Sequence, residues 1–215
     1  MISLQPADQD LDILCLGAHP DDIEIGCGGT LLAMAASGRA TIRAAVLTGS
    51  TARHQEARNA ASAFTGSDAE LTLHSMPDGR LPEHWGQVKQ SLEDLARHTR
   101  PDLVLTPRTD DSHQDHRLVA RLAKTTWRDS LILQYEIPKW DGDLRPVTHY
   151  VPLTDDQARR KVDLLHTCFT SQRHRDWWDD EVFLGLMRLR GTEVRSRYAE
   201  GFLSDKVRLE LGVDH

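Results

Sequence analysis

The stretch LDILCLGAHPDDIEIGCGGTLLAMAASG, residues 11–38, decides how the chain folds. Leu11 to Gly17 is a short apolar run of the kind that forms a buried strand. A loop with His19, Pro20, Asp21 and Asp22 follows, and Leu31, Leu32, Met34 and Ala35 then suit a helix that ends near Gly38. The same strand, loop, helix order repeats downstream. A strand at Ile42 to Leu47 leads to a helix through Gln55 to Phe64, ended by Gly66, and a strand at Glu70 to His74 leads through the turn Pro77-Asp78-Gly79 to a helix over Val88 to His98. The run DLVLTP, from Asp102, then passes through PRTDDSHQDH into the helix RLVARLAKTTW. Such alternation predicts a parallel sheet covered by helices on both faces, with ligands collecting at the carboxyl ends of the strands.

Beyond Trp127 the pattern is less regular: a strand at Leu131 to Ile137, an extended piece at Thr148 to Pro152, and helices over Asp155 to Cys168 and Asp180 to Arg190. The loop 138–146 is a candidate rim segment. No linker, repeat or low-complexity tract interrupts the chain, so residues 1–215 are expected to form one catalytic domain.

Charge narrows the function. Lys and Arg total 26 against 33 Asp and Glu, a formal net charge of -7, with no clustered basic run. That balance argues against nucleic acid or an acidic membrane as partner. The opening MISLQPADQDLDIL lacks a basic segment followed by an apolar one, and no uncharged stretch is long enough to span a bilayer, so a cytoplasmic protein is expected. A homo-oligomer is compatible with this sequence. Cys15, Cys27 and Cys168 form no C-x-x-C pair and read as buried reduced thiols.

Two acid-rich histidine clusters carry the chemistry. His19-Pro20-Asp21-Asp22 follows the first strand, and His113-Gln114-Asp115-His116 follows the fourth. In an open α/β sheet both loops can reach one crevice. Catalytic zinc takes roughly three protein ligands of His and carboxylate type and keeps a position for water, and His19, Asp22 and His116 supply that set. Two neutral imidazoles and one carboxylate leave net positive charge on the ion, which makes hydroxide available near neutral pH. Asp21 is the candidate general base, His113 the candidate acid or oxyanion partner, and Asp115 the carboxylate expected to orient His113. Asp110 and Asp111 read as capping or loop carboxylates.

The strings LGAHPDDIEIGCGGTLL and PRTDDSHQDHRLVA together resemble the PIG-L/LmbE-like deacetylases, whose paired signatures are HPDD and HxDH. Pro77-Asp78-Gly79, the segment His166 to Gln172 and YAEGF (Tyr198 to Phe202) extend the resemblance over nearly the whole chain. It implies a Rossmann-like three-layer α/β/α fold, one zinc ion per chain, and hydrolysis of an N-acyl group, usually acetyl, on a glucosamine-type sugar. It assigns zinc to His19, Asp22 and His116, the base to Asp21, and the acid or oxyanion role to His113. The chain departs from the family after the second strand, where LTGSTARHQEA keeps Arg53-His54-Gln55-Glu56 but lacks a preceding Gly-Glu pair; Arg53 is the candidate substrate contact.

Gly26, Cys27, Gly28 and Gly29 do not make a dinucleotide fingerprint, because Leu31 stands where a third glycine would be. They are expected to let the helix approach the sheet closely. Trp177 and Trp178 are read as packing residues rather than a sugar-stacking rim. Two rival readings stand beside the deacylase: a metal-dependent hydrolase of another bond, such as a phosphoester, which would need a second ion, and a catalytically silent sugar-binding module, which would need neither Asp21 nor His113.

Overall fold

A computed structural model describes residues 10–66 and 69–209; the opening nine residues, read above as lacking a leader, lie outside them. Among the described residues, seven strands form one sheet in the order β3-β2-β1-β4-β5-β7-β6. The strands are β1 (Leu11–Gly17), β2 (Ala40–Thr48), β3 (Glu70–Met76), β4 (Leu103–Thr106), β5 (Leu131–Tyr135), β6 (His149–Leu153) and β7 (Tyr198–Leu203). β1 to β5 pair in parallel, whereas β7 runs antiparallel to both β5 and β6. The helices are α1 (Asp22–Ser37), α2 (Thr51–Thr65), α3 (Trp85–Ala96), α4 (Gln114–Thr126), α5 (Asp155–Cys168) and α6 (Asp180–Glu193).

The three layers follow from strand alternation. Along β1, Ile13 and Cys15 point to one face and join Ile25, Leu31, Phe64, Val162 and Phe183 from α1, α2, α5 and α6. Leu14 and Leu16 point to the other face and join Val88, Leu92, Leu118 and Leu122 from α3 and α4. The fold is thus the expected Rossmann-like α/β/α arrangement with a mainly parallel sheet. Connections from β1 lead to β2 on one side, while β4 adds on the other. The sheet's order reverses between β1 and β4, and the loops leaving their carboxyl ends border the crevice where open α/β sheets bind ligands.

Several boundaries shift by a few residues, and two departures from the expectation are larger. α2 begins at Thr51, not Gln55, because the Ser50 side chain accepts the Arg53 N–H and caps the helix. β7, within YAEGFL, was not read as a strand.

The glycines of α1 allow the close packing expected of them. A Cβ on Gly26 would sit 2.0 Å from Cδ2 of Tyr135, and one on Gly28 2.6 Å from the Phe64 ring. Gly185, inside α6, has open space at that position. Gly26→Ala is therefore expected to destabilise the fold by about 2–3 kcal/mol through overpacking, and Gly185→Ala to stabilise it by about 0.5–1 kcal/mol through backbone entropy. Urea midpoints of the two variants check both signs.

Candidate active site

The loop after β1 enters α1 through a strained residue. Asp21 sits at the helix N-cap with φ 106 and ψ -24, left-handed geometry that costs a non-glycine residue of order 1–3 kcal/mol. Its carbonyl accepts from Ile25 N at 2.9 Å, which starts the helix. The next residue, Asp22, turns its carboxylate back on the loop: Oδ2 accepts from Ala18 N at 2.9 Å and His19 N at 2.8 Å. This leaves Oδ1 facing His116 Nε2 at 3.3 Å.

His116 arrives from the first turn of α4, on the loop after β4. Its Nδ1 lies 2.9 Å from Asp111 Oδ2, so that nitrogen carries a proton and Nε2 is the one turned toward Asp22. His19 is oriented the same way from its other edge: Nε2 faces Asp115 Oδ2 at 3.2 Å and Asp78 Oδ1 at 3.0 Å, leaving Nδ1 turned inward. His19 Nδ1 is 3.1 Å from His116 Nε2 and 3.5 Å from Asp22 Oδ2. The two imidazole nitrogens thus face each other and the Asp22 carboxylate at 3.1–3.5 Å, His19 on the side of Oδ2 and His116 on the side of Oδ1. Bonds of roughly 2.0–2.2 Å to a tetrahedral zinc ion would set neighbouring ligands about 3.3–3.6 Å apart, close to the separations found here, and two imidazoles with one carboxylate are ligand types such an ion takes.

Electrostatics agree with the geometry. Burial opposes charge on His116, yet Asp22 and the hydrogen bond to Asp111 hold its pKa up at about 9. His19 is raised in the same way, burial being outweighed by Asp22 and Asp115, and Asp22 is driven well below the usual carboxylate range against its own burial by His116 and His19. A buried carboxylate that raises the pKa of both neighbouring imidazoles favours positive charge between them, whether as protons or as a cation.

Besides His19, Asp22 and His116, three other sets of side chains among the described residues have ligand atoms close enough to share an ion: His19, His113 and His116; His19, Asp78 and Asp115; Asp111, Asp141 and Asp143. The third set already encloses the Lys139 ammonium, 2.9 Å from Asp111, 3.2 Å from Asp143 and 3.6 Å from Asp141. In the second, both Asp115 oxygens already accept backbone N–H groups, from Gly79 at 2.8 Å and Leu81 at 3.0 Å. In the first, His113 spends Nδ1 on the Asp115 N–H at 3.2 Å and stacks on His116 with ring centroids 4.6 Å apart. Asp22, with its charge and its oxygens on the two other imidazoles, is the better third donor.

Other site residues depart from the sequence expectation. The Asp115 carboxylate does not orient His113; it is fully buried, braces His19 and ties the 79–81 turn to α4. The reason is α4's first turn, which aims the Asp115 side chain under the loop while only its N–H reaches His113. Asp110 is bonded to Arg108, as a loop carboxylate should be, but Asp111 fixes His116 and Lys139 and accepts from His113 N at 2.7 Å. Nothing in the spacing separated Asp111 from an ordinary capping residue. Arg53 is turned inward: its Nη1 donates to Glu56 at 2.6 Å and Ser171 Oγ at 3.1 Å, and Nη2 to Asp21 Oδ2 at 2.7 Å and to Pro20 O. Burial raises Asp21 to a pKa of about 6, with the Arg53 charge pulling the other way.

The family model "PIG-L: GlcNAc-PI de-N-acetylase" matches residues 14–127, which include both histidine loops, and the chain belongs to that family. It is 32% identical over 148 residues to "Uncharacterized deacetylase YaiS" of Escherichia coli K12, a match covering 63% of this chain and 78% of that protein. In three dimensions it is similar to N,N'-diacetylchitobiose deacetylase from Pyrococcus horikoshii, with TM-score 0.73, 22% identity, and coverage of 90% of this chain and 83% of the other. It is equally similar to GalB, the 4-carboxy-2-hydroxymuconate hydratase from Pseudomonas putida KT2440, with TM-score 0.74, 18% identity, and coverage of 95% and 100%. Both structural likenesses establish the fold alone, and a hydratase on the same fold means that the reaction has to be argued from the site.

The Asp111 carboxylate is only 4% exposed and serves three partners. Asp111→Ala, which strips those partners of a buried charge, is expected to lower stability by about 3 kcal/mol in equilibrium urea unfolding. An unchanged midpoint would mean that Asp111 is the loop carboxylate its sequence suggests.

Proposed function

We propose that this protein is a zinc-dependent N-deacetylase acting on an N-acetylated amino sugar or glucosamine conjugate. The observation that carries the reading is the meeting of His19 Nδ1, Asp22 and His116 Nε2 at 3.1–3.5 Å, each held from behind by a committed hydrogen bond. Family membership and the deacetylases among its relatives support the same reaction. Those three residues would hold one zinc ion per chain, and the nearby Asp111 set, closed around Lys139, supports one ion rather than the pair a phosphoester hydrolase commonly uses.

Bound zinc supplies Lewis-acid activation of the attacking water and of the amide carbonyl. Asp21 takes the proton that water gives up as its oxygen bonds to the carbonyl carbon. A carboxylate kept close to pKa 6 by burial suits that role near neutral pH better than a free one. Arg53 holds Asp21 in its strained conformation; with both Nη groups engaged, its Nε–H is what it has left for a sugar hydroxyl. His113 accepts the Asp115 N–H on Nδ1, so its Nε2 carries a proton, and burial followed by the charges of His116 and His19 lowers its pKa and keeps the ring neutral. A neutral Nε2–H is a hydrogen-bond donor for the tetrahedral oxyanion, as an oxyanion-hole group is. When the C–N bond breaks, the proton stored on Asp21 passes to the amine nitrogen, giving acetate and a free amino sugar.

Incubating zinc-loaded protein with a panel of N-acetylglucosamine conjugates is expected to release primary amine from at least one of them. Asp21→Asn should lower kcat by about 10²–10⁴-fold while retaining zinc. Absence of amine from every conjugate, or an Asp21→Asn variant with full turnover, would contradict the proposal.

A further inference from the structure

Helix α1 is broken. Cys27, five residues after Asp22, has φ -141 and ψ 18, outside the helical region. A break leaves backbone groups short of partners, and in a buried helix something must supply them. Ile25 O and Gly29 N, which face each other across one turn of a regular helix, are each engaged by a buried charged side chain. Lys161 Nζ, from α5, donates to Ile25 O at 2.6 Å. Glu200, from β7, accepts from Gly29 N through Oε1 at 2.8 Å and from Thr30 N through Oε2 at 2.6 Å. The two side chains then join, Nζ to Oε1, at 2.7 Å, and both are about as buried as the core itself, at 4% and 3% exposure.

Burying such a pair costs several kcal/mol of desolvation per ion before its attraction is counted. Neither residue has a role in the chemistry proposed above. Their partners say what they do. Lys161 grips the carboxyl end of the short segment 22–26, while Glu200 caps the start of the longer segment that follows. From below, Gly26 rests on the Tyr135 ring, whose hydroxyl donates to Leu16 O of β1 at 2.6 Å. At the head of that short segment stands Asp22, whose Oδ2 gathers Ala18 N and His19 N.

We infer that Lys161 and Glu200 are positioning residues: inserted into the break in α1, they fix the direction of residues 22–26 and so aim Asp22 and His19 at His116. This rests on the reading of those three residues as the cation site. Residues that orient ligands from behind typically change metal affinity or activity by about 10–100-fold when altered.

Removing one partner alone would strand a buried charge, so the test uses Lys161→Met/Glu200→Gln, which neutralises both at similar volume. Leu103→Ala, a cavity variant at the amino end of β4, serves as a control destabilised with the Lys161–Glu200 pair left in place. Two quantities are measured: amide exchange at Ala18 and His19, and the zinc dissociation constant by chelator competition. In the double variant both amides are expected to exchange about tenfold faster or more than in Leu103→Ala, with zinc bound about tenfold more weakly. Equal exchange at Ala18 and His19 in the two variants would overturn the inference. A wild-type protein that takes up no zinc would instead sink the cation reading, while the exchange comparison still decides the positioning role. If the double variant does not fold, Glu200→Asp, which keeps the charge but shortens its reach by one methylene, is judged on the same amides.

Discussion

A carboxylate buried between two imidazoles is the constraint on which the rest of this structure depends. Asp22 is 3% exposed, and its charge is tolerable only because two loop N–H groups and two histidine rings surround it. Each of those rings is in turn fixed by a further carboxylate, Asp115 behind His19 and Asp111 behind His116. The outcome is a small volume in which positive charge is favoured and the nitrogen and oxygen atoms that could hold an ion are already aimed. A hydrolase of amides needs such a place at a water-accessible edge, and His19 and His113 remain only partly buried there.

The frame explains how residues nearly a hundred positions apart come together. Parallel strands β1 and β4 are neighbours in the sheet, with Cys15 opposite Leu105, so the loops at their carboxyl ends leave side by side. The loop after β1 carries Asp21 and Asp22 into α1, and the loop after β4 carries His113 and His116 into α4. Around this pair, other elements act as braces: the 79–81 turn through Asp115, the 138–146 loop through Lys139, α5 and β7 through Lys161 and Glu200. The candidate rim loop is therefore tied to the site by Lys139, while it exposes Trp140 to solvent. Trp178 is buried in the core and Trp177 packs against it, which is the role the sequence suggested.

Much of this was legible in the chain because buried parallel strands read as near-continuous apolar runs, and LDILCLG and LVLT are too short, and too closely bounded by Gly17 and Pro107, to be helices. The two histidine loops announced themselves by composition, and their place after strands one and four was enough to bring them together. What stayed hidden was of another kind. β7 contains Glu200, which points inward, and an acidic residue in a short mixed segment does not look like a buried strand. The start of α2 was obscured because Gly49-Ser50-Thr51 reads as loop, although Ser50 is its cap. Asp111 and Asp115 have their roles through side-chain direction, Asp115 bracing His19 rather than His113, and no spacing rule separates two carboxylates a few residues apart by where they aim. The break in α1 left a trace in the run Gly26-Cys27-Gly28-Gly29, four poor helix formers in succession, but its charged partners lie more than 130 residues downstream.

Anomalous diffraction from zinc-soaked crystals, with data collected on either side of the zinc absorption edge, tests the central claim most directly. The account predicts one strong peak per chain at roughly 2.0–2.2 Å from His19 Nδ1, a carboxylate oxygen of Asp22 and His116 Nε2. A crystal that takes up zinc elsewhere, or none at all, with those three side chains facing each other unchanged, would contradict it.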